Sequence, residues 1–432
     1  MMKKEEIMRI SRIATVLLVL FMTSSLAFAQ ASQETAKTEG PVTIEVWYAL
    51  SGTTGENFLR AVDNFNNSQS DVVAVASYSG GYNDTATKIT AALKSNSTPD
   101  VIIGGQVTYT GAYGNFYAGN QAQTDPEFDF DDVFEGLWEY GMYDGQYCNI
   151  PYNMSTNTMF YNKALIEGAG IDLENNAPKS WDEFLQLCVQ LKDFYKDNAD
   201  FIPFVVQDED WLSNTQILQC NNPVIAANED YSVKSAAWGS EECAKVAKWW
   251  QDMVKEGCMD MTMNKTGNNV FLAGNAAFFA GSSTKISEWT PTLGENLCAI
   301  EMPYFDVQKV ALGGSCVAVY PKTAERTAAA WSFIKFICSA DENALFAVDS
   351  GYLPIRKSSF TSEAVTKAVE TMPAYEVAFK QLSYAYAYVN IDDYAAKAIA
   401  LSKFRTLVTG DLSYDPLTAM QESAKLYNDE AN

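Results

Sequence analysis

The sequence contains no histidine. This absence excludes Ser-His-Asp and Cys-His catalytic arrangements and HExxH zinc sites, and it removes the commonest general base near neutral pH. Chemistry that uses only carboxylates, such as glycoside hydrolysis by two acids, remains possible. The composition therefore favours binding over catalysis.

Cysteine is present, but in no pattern typical of a metal or redox site. The eight cysteines lie at positions 148, 188, 220, 243, 258, 298, 316 and 338, and none belongs to a C-x-x-C pair, which excludes a zinc ribbon and a thioredoxin motif. We expect Cys188, Cys243 and Cys338 to be small core residues, because they lie on the apolar faces of predicted helices. The sequence assigns no disulfide pairs, and no cofactor or metal is expected.

Basic residues are scarce relative to acidic ones. The chain has 30 Lys and Arg against 54 Asp and Glu, a formal net charge of −24. A field of this sign repels nucleic acid and anionic lipid over a Debye length. Nucleic acid is therefore not an expected partner, and the acidic surface is interpreted as solvated.

The N-terminus carries a pattern typical of a secretory signal peptide. Four basic residues precede an apolar run at 13–22, and an A-x-A site follows at 27–29. The run is about half of the ~20 residues that a membrane-spanning helix needs. We predict a cleaved signal peptide at 1–29, a flexible leader at 30–40 and a periplasmic location, since the first Cys lies far beyond the cleavage site and cannot carry a lipid anchor.

Strand and helix patterns alternate in the first part of the chain. Alternating apolar residues or short apolar runs predict strands at 42–48, 72–78 and 101–103. Apolar residues at helical spacing predict helices at 58–65 and 84–93. This order indicates an α/β fold with a mainly parallel sheet. Ligands bind such sheets at the carboxyl ends of the strands, here in loops 49–55, 79–83 and 104–108.

The middle of the chain predicts three further helices. A capping box at Ser180 opens the first, which ends near Lys192, and Ser240 is expected to cap the second, which ends at Gly257. Pro321-Lys322-Thr323 precedes the third. The tryptophans at helical spacing in the last two helices are interpreted as core residues: Trp249, Trp250 and Trp331.

A series of short motifs resembles the extracellular solute-binding proteins of ABC importers with maltose-binding-like architecture, and is most similar to the sn-glycerol-3-phosphate-binding branch. The resemblance covers nearly the whole chain after the leader. The motifs are VWY at 46–48, YSGGY at 78–82, IPYNMST at 150–156, FYNK at 160–163, AGID at 169–172, PKSW at 178–181, FLAGNAA at 271–277, GSS at 281–283, MPY at 302–304, GGS at 313–315 and SGYLPI at 350–355.

The resemblance implies a type II periplasmic-binding-protein fold, in which two α/β lobes joined by a hinge close on a small polar solute. One lobe would comprise 41–152 plus 315–351, and the other 153–314 plus 352–432. The protein would act as a monomer that delivers its solute to the permease subunits of the importer.

The resemblance also implies a binding site between the lobes. It would offer a backbone N–H from Gly314, a side-chain amide from Gln106, an aromatic ring from Trp211 and one cation, Lys397. Its side-chain hydroxyls would come from Tyr82, Ser155, Ser282 and Tyr352. A polyol phosphate needs such a mixture, because its hydroxyls and its phosphate require different partners.

Three positions depart from the branch pattern. Gln106 stands where the branch has an acidic residue, Lys397 where it has an Arg, and Asp208 or a neighbour where it has a second Trp. Lys neutralises a phosphate but cannot form the bidentate fork of Arg, and loss of the Trp would open the pocket.

Three functions stay open on this reasoning. The first is a receptor for sn-glycerol 3-phosphate or a glycerophosphodiester such as glycerophosphocholine, whose choline an aromatic-lined site could hold. The second is the same receptor role for a sugar or oligosaccharide. The third is a secreted glycosidase, with candidate acids in the contiguous run 208–210, which we otherwise interpret as a solvated loop.

Overall fold

A computed structural model describes residues 40–105, 118–143, 146–228, 234–387 and 394–431. The predicted signal peptide, all of the predicted leader except Gly40, and Gln106 lie outside the described residues. Residues Thr43–Asn432 form one compact unit.

The strands of this unit are mostly short, with two longer exceptions near its centre. They are β1 (Val42–Tyr48), β2 (Val72–Tyr78), β3 (Val101–Gly105), β4 (Met142–Tyr143), β5 (Gln146–Tyr147), β6 (Ile150–Asn162), β7 (Ile202–Val206), β8 (Ile225–Ala227), β9 (Lys234–Ala236), β10 (Ala276–Ser282), β11 (Leu297–Ile300), β12 (Val310–Val319) and β13 (Ala385–Tyr386).

The helices fill most of the remaining described chain. They are α1 (Gly52–Ser68), α2 (Tyr82–Ser95), α3 (Ala118–Thr124), α4 (Glu135–Tyr140), α5 (Lys163–Gly168), α6 (Leu173–Asn176), α7 (Trp181–Phe194), α8 (Glu209–Gln219), α9 (Ala244–Lys255), α10 (Met261–Asn264), α11 (Gly267–Leu272), α12 (Lys285–Leu293), α13 (Ala324–Ile337), α14 (Ala340–Ser350), α15 (Glu363–Thr371), α16 (Ala374–Lys380), α17 (Tyr394–Gly410) and α18 (Pro416–Ala431).

The main sheet has the strand order β2-β1-β3-β12-β6-β10-β7, with β11 also on β6 and β13 also on β12. β1 and β3 are parallel, and so are β10 and β7. β12 runs antiparallel to both of its main neighbours, β3 and β6, and β10 and β11 run antiparallel to β6. The sheet is thus mixed at its centre and parallel towards its two ends.

β6 joins the two halves of the sheet. Its first part pairs with β12 through Ile150–Thr156, and its second part pairs with β10 and β11 through Asn157–Asn162. Every residue of this strand is buried. The predicted α/β class is confirmed. The proposed lobe boundaries stay a prediction, with 152/153 falling on β6 and 314/315 on β12.

Most predicted elements are confirmed. The first two strands have the predicted bounds, the third extends to Gly105, and the first helices contain the predicted apolar faces, except that Leu59 is exposed. The capping box at Ser180 is present at the start of α7, and Thr323 caps α13. The three tryptophans and the three cysteines that we expected in the core are buried.

Two local predictions are wrong. Residues 52–55 are not loop, because α1 already begins at Gly52 after an extended Ser51. Gly52 has a φ of +57°, which a glycine adopts at little cost. Ser240 does not cap α9, since Cys243 occupies that position and the Ser240 hydroxyl instead accepts a hydrogen bond from Asn222 Nδ2 at 3.1 Å.

In the part of the chain that the structure describes, no helix combines the length and the apolar character needed to cross a membrane.

Candidate functional site

Three polar side chains alternate along the buried strand β6. Asn153, Ser155 and Asn157 are each at most 3% exposed. Side chains two residues apart point to the same face of a strand, so the three form one polar strip about 13 Å long at ~3.3 Å per residue. Burial of amides and a hydroxyl in the middle of a sheet is costly unless each finds a partner. The strip is therefore a candidate ligand surface.

At one end of the strip, Asn153 meets a group of hydroxyls. Ser315 lies directly opposite Asn153 on β12, and its hydroxyl donates to Asn153 Oδ1. Tyr82, the first residue of α2, lies beside both side chains, and Tyr352 lies beside Asn153 and Tyr82. Burial raises the pKa of both tyrosine hydroxyls, and hydrogen bonding to Asn153, Tyr352 and Ser315 lowers that of Tyr82 in part. Both tyrosines are hydrogen-bonding neutral groups at physiological pH.

In the middle of the strip, Ser155 lies next to an indole ring. A Cβ placed on Gly313 would be 3.0 Å from Ser155 Oγ and 2.8 Å from Trp211 Cζ2. The ring is held by a hydrogen bond of 3.0 Å from Trp211 Nε1 to the carbonyl oxygen of Ala311. The missing side chain at Gly313 therefore leaves the space in which Trp211 packs beside Ser155.

Gly314 has a backbone role that explains its identity. Its φ is +122°, and a Cβ there would lie 2.0 Å from the carbonyl oxygen of Asn153. The β12–β6 register shifts immediately afterwards, between Ser315 and Cys316. A glycine is required for this close approach of the two strands, whether or not its N–H also meets a solute.

At the other end of the strip, Asn157 is paired with Ser282, the last residue of β10. Opposite residues of an antiparallel pair share a face. The Ser282 N–H donates to Gln207 Oε1 at 3.0 Å, and the Ser282 hydroxyl accepts from Thr284 Oγ1 at 2.9 Å. Ser282 therefore lies at the end of the strip, but its oxygen already has a protein donor, and its contact with a solute stays a prediction.

Two amide atoms of the strip have no hydrogen-bond partner of normal geometry among the described residues. They are Asn153 Nδ2, a donor, and Asn157 Oδ1, an acceptor, and both atoms are buried. An unsatisfied buried polar atom costs about 1–3 kcal/mol. A solute with hydroxyl groups could satisfy one atom by accepting and the other by donating.

Lys397 is the one predicted cation of the site, and it lies on α17. Its side chain is 1% exposed. α17 packs against α8, the helix that begins two residues before Trp211. The helix that carries Lys397 therefore packs against the helix that carries Trp211. A contact between Lys397 and a phosphate stays a prediction.

The acidic run at 208–210 is not a solvated loop, which corrects our interpretation. Asp208 caps α8, because its Oδ1 accepts from the Trp211 N–H at 2.9 Å. Glu209 and Asp210 form the first turn of α8 and both pair with the buried Arg405. Capping and ion pairing account for all three carboxylates, and Asp208 also fixes the start of the helix that carries Trp211.

A cavity of about 1060 Å³ is lined by none of the three residues of the strip. Its lining includes the acidic run, Arg405 and the segment 259–262. None of the described predicted site residues lines it. In the described part of the chain, no three His, Cys, Asp or Glu side chains are grouped closely enough to hold a metal ion.

The structure adds residues that our sequence reasoning missed. Asn153, Asn157, Gly313 and Ser315 all lie at the candidate site. Three of them stand in motifs that we noted, and Asn157 directly follows the IPYNMST motif. The alternation of Asn, Ser and Asn at 153, 155 and 157 was a usable signal, because period 2 places all three on one face.

This fold, with a polar strip on the strand that joins two sheet halves, defines a binding protein. The model of the bacterial extracellular solute-binding protein family matches residues 60–374. The chain belongs to that family, and it is a substrate-binding protein of the ABC transporter type, a class of receptors rather than enzymes.

Two curated relatives are periplasmic proteins described as sn-glycerol-3-phosphate-binding, both named UgpB. That of Rhizobium meliloti (strain 1021) is 24% identical over 384 residues, which is 84% of this chain and 86% of that protein. That of Agrobacterium fabrum is 24% identical over 378 residues, 83% and 84% of the two chains.

Solved structures show the same fold. The cyclic alpha-maltosyl-1,6-maltose binding protein of Arthrobacter globiformis matches with a TM-score of 0.77 and 23% identity, over 90% of this chain and 100% of that one. UgpB of Mycobacterium tuberculosis, solved with glycerophosphocholine, matches with a TM-score of 0.71 and 19% identity, over 91% and 99% of the two chains.

Proposed function

We propose that the protein captures sn-glycerol 3-phosphate, or a glycerophosphodiester such as glycerophosphocholine, in the periplasm and delivers it to an ABC importer. The observation that carries this proposal is the strip Asn153-Ser155-Asn157, in which two buried amide atoms have no hydrogen bond of normal geometry among the described residues. Curated relatives described as sn-glycerol-3-phosphate-binding, matched over most of their length, support the choice of solute.

The glycerol part of such a solute fits the chemistry of the strip. Each of its hydroxyls can donate to one oxygen and accept from one N–H, and the strip offers both an amide donor and an amide acceptor. Tyr82 and Tyr352 add hydroxyl groups at the Asn153 end. The carbon backbone of the solute would lie against Trp211, which packs beside Ser155.

The phosphate requires a positive partner, and Lys397 is our candidate. A buried ammonium is a strong partner for a phosphate oxygen, because the low local dielectric strengthens the attraction. The packing of α17 against α8 supports this assignment.

A sugar receptor is the second candidate, and the Trp211 ring favours it. Aromatic faces stack on pyranose rings, and the neutral amides and hydroxyls of the strip suit any polyol. The two candidates differ in one requirement, since only the phosphate solutes need Lys397.

Calorimetry on the chain from Gln30 onward, with sn-glycerol 3-phosphate, glycerophosphocholine and maltose, separates the candidates. We expect binding of at least one phosphate compound and none of maltose. Binding of maltose alone would overturn our proposal in favour of the sugar receptor.

A matched pair of lysine substitutions tests the phosphate contact. Lys397→Met should weaken phosphate solutes about 100-fold or more, which corresponds to ~3 kcal/mol for a charge-assisted hydrogen bond. Lys403→Met, on the same helix but with its side chain 43% exposed, is the control and should leave affinity unchanged. Equal affinities for both variants, with folding verified by thermal denaturation, would remove Lys397 from the site.

A further inference from the structure

Two of the eight cysteines lie side by side. Cys220 ends α8 and Cys243 begins α9, and their thiols are close enough to share a hydrogen bond. Both side chains are buried, at 4% and 0% exposure. The two helices pack against each other, so the two thiols lie at the interface between the helices.

The surroundings hold both sulfur atoms in place. Cys220 Sγ lies 3.3 Å from the carbonyl oxygen of Gln216, one turn earlier in α8. Asn222 Nδ2 lies 3.5 Å from Cys243 Sγ and 3.0 Å from the carbonyl oxygen of Ala237. One amide therefore links the Cys243 thiol to the chain just after Cys220.

The same contacts activate one thiol. Hydrogen bonding to Cys220, with smaller contributions from Ser240 and Asn222, lowers the pKa of Cys243 to about 7, while the pKa of Cys220 is raised. The N-terminus of α9 acts in the same direction on Cys243. A thiol with a pKa near ambient pH is close to optimal for disulfide exchange.

We propose that Cys220 and Cys243 form an intramolecular disulfide in the exported protein. The Cys243 thiolate attacks the S–S bond of an exogenous disulfide, forming a mixed disulfide and releasing one thiolate. Cys220 then gives up its proton and attacks the Cys243 sulfur, which releases the second thiolate. The two protein thiols are oxidised by two electrons, and the exogenous disulfide is reduced to two thiols.

The bond would join the end of α8 to the start of α9 and close the segment 221–242, which contains the β8–β9 pair. α8 also carries Trp211 near its start. The disulfide would thus brace the helix that presents the indole to the binding strip. This inference does not depend on which solute the protein binds.

Two other cysteine pairs serve as internal controls. Cys188 lies near Cys258, and Cys316 lies near Cys338, close enough to affect each other electrostatically. Burial raises the pKa of all four thiols. We expect these pairs to stay reduced under the conditions that oxidise Cys220 and Cys243.

The test uses the full chain exported through its own N-terminus into an oxidising compartment. The protein is denatured without reductant in N-ethylmaleimide, digested and analysed by mass spectrometry. We expect a linked pair of peptides with Cys220 and Cys243, about 2 Da lighter than the two reduced peptides, and alkylated Cys188, Cys258, Cys316 and Cys338. Alkylation of both Cys220 and Cys243 would overturn the proposal.

Single substitutions test the order of the two steps. Reduced, purified protein is treated with oxidised glutathione. Cys220→Ser, which keeps a hydrogen-bonding group beside Cys243, should stop at a mixed disulfide on Cys243, and Cys243→Ala should leave Cys220 unmodified. Should either variant fail to fold, reduction of the oxidised wild type is measured instead, with an expected fall in Tm of about 3–6 °C. No glutathione on Cys243, or no change in Tm, contradicts the proposal.

Discussion

Trp211 and Gly313 are complementary in shape, because a single Cβ on the glycine would lie 2.8 Å from Trp211 Cζ2. The ring cannot simply move away, since Trp211 Nε1 is bonded to Ala311 and Asp208 caps its helix. We predict that Gly313→Ala displaces the indole and weakens solute binding about tenfold, or ~1.4 kcal/mol. Calorimetry with the solute identified for the wild type measures the change.

The control for this substitution is Gly410→Ala. A Cβ on Gly410, at the end of α17, meets no atom within 4 Å, so the variant should bind as the wild type does. Unchanged affinity of the Gly313 variant would show that the position of the indole does not matter for the solute.

The Asn157 side chain leads to a second prediction, in which stability and binding respond differently. Its Oδ1 is buried without a partner of normal geometry among the described residues. Removal of an unsatisfied buried group is close to neutral for folding. Asn157→Ala should therefore change the unfolding free energy of the solute-free protein by less than about 1 kcal/mol and still weaken binding about tenfold.

Asn162, at the end of the same strand, is the matched control. Its Oδ1 accepts from the Leu165 N–H and caps α5. Asn162→Ala should cost about 1 kcal/mol of stability and leave affinity unchanged. If Asn157→Ala is instead the more destabilising of the two and binds normally, Asn157 is a structural residue only.

The fold was predictable from the sequence because it depends on patterns with a clear period. Val42–Tyr48 alternates, the Ser180 capping box is local, and the order of strands and helices indicates the sheet. The site was predictable only where a family motif covered it. Trp211 and Ser155 are 56 positions apart in sequence, and what brings them together is the register of β12 on β6.

Two of the errors have the same origin. The role of Ser240 was misjudged because its hydroxyl bonds to Asn222, a partner on another element. The acidic run at 208–210 was misjudged because its partner, Arg405, follows almost 200 residues later. The sequence shows a run of three carboxylates. It does not show which cation pairs with them, because that depends on the tertiary structure.

The ion pair between Asp210 and Arg405 supports a third prediction. The Arg405 side chain is 4% exposed, so its charge depends on nearby carboxylates. Asp210→Ala should destabilise the protein by about 2–4 kcal/mol, because a buried charge loses a partner. Denaturant unfolding measures the loss, and solute affinity should stay within about twofold.

The double variant Asp210→Ala with Arg405→Met removes both members of the pair and should recover part of the lost stability. An unrecovered loss would mean that Asp210 stabilises the fold through other contacts. Glycoside turnover by the wild type that disappears in Asp210→Ala would support the carboxylate-dependent enzyme instead.

The two partly exposed tyrosines of the site give the fourth prediction, which concerns alkaline pH. Burial raises the pKa of Tyr82 and Tyr352 above the usual value of 10.0. Above pH 10 the unfolded chain loses protons that the folded protein keeps, so stability must fall as pH rises, by up to about 1.4 kcal/mol per pH unit for each proton. Below pH 9 neither tyrosine contributes to the change of stability with pH.

Denaturant unfolding between pH 8 and pH 11 should show where stability begins to fall. The fall should be shallower for Tyr352→Phe than for the control Tyr78→Phe, since the Tyr78 side chain is exposed. Identical declines for the two variants would show that the Tyr352 hydroxyl ionises equally well in the folded and unfolded chains.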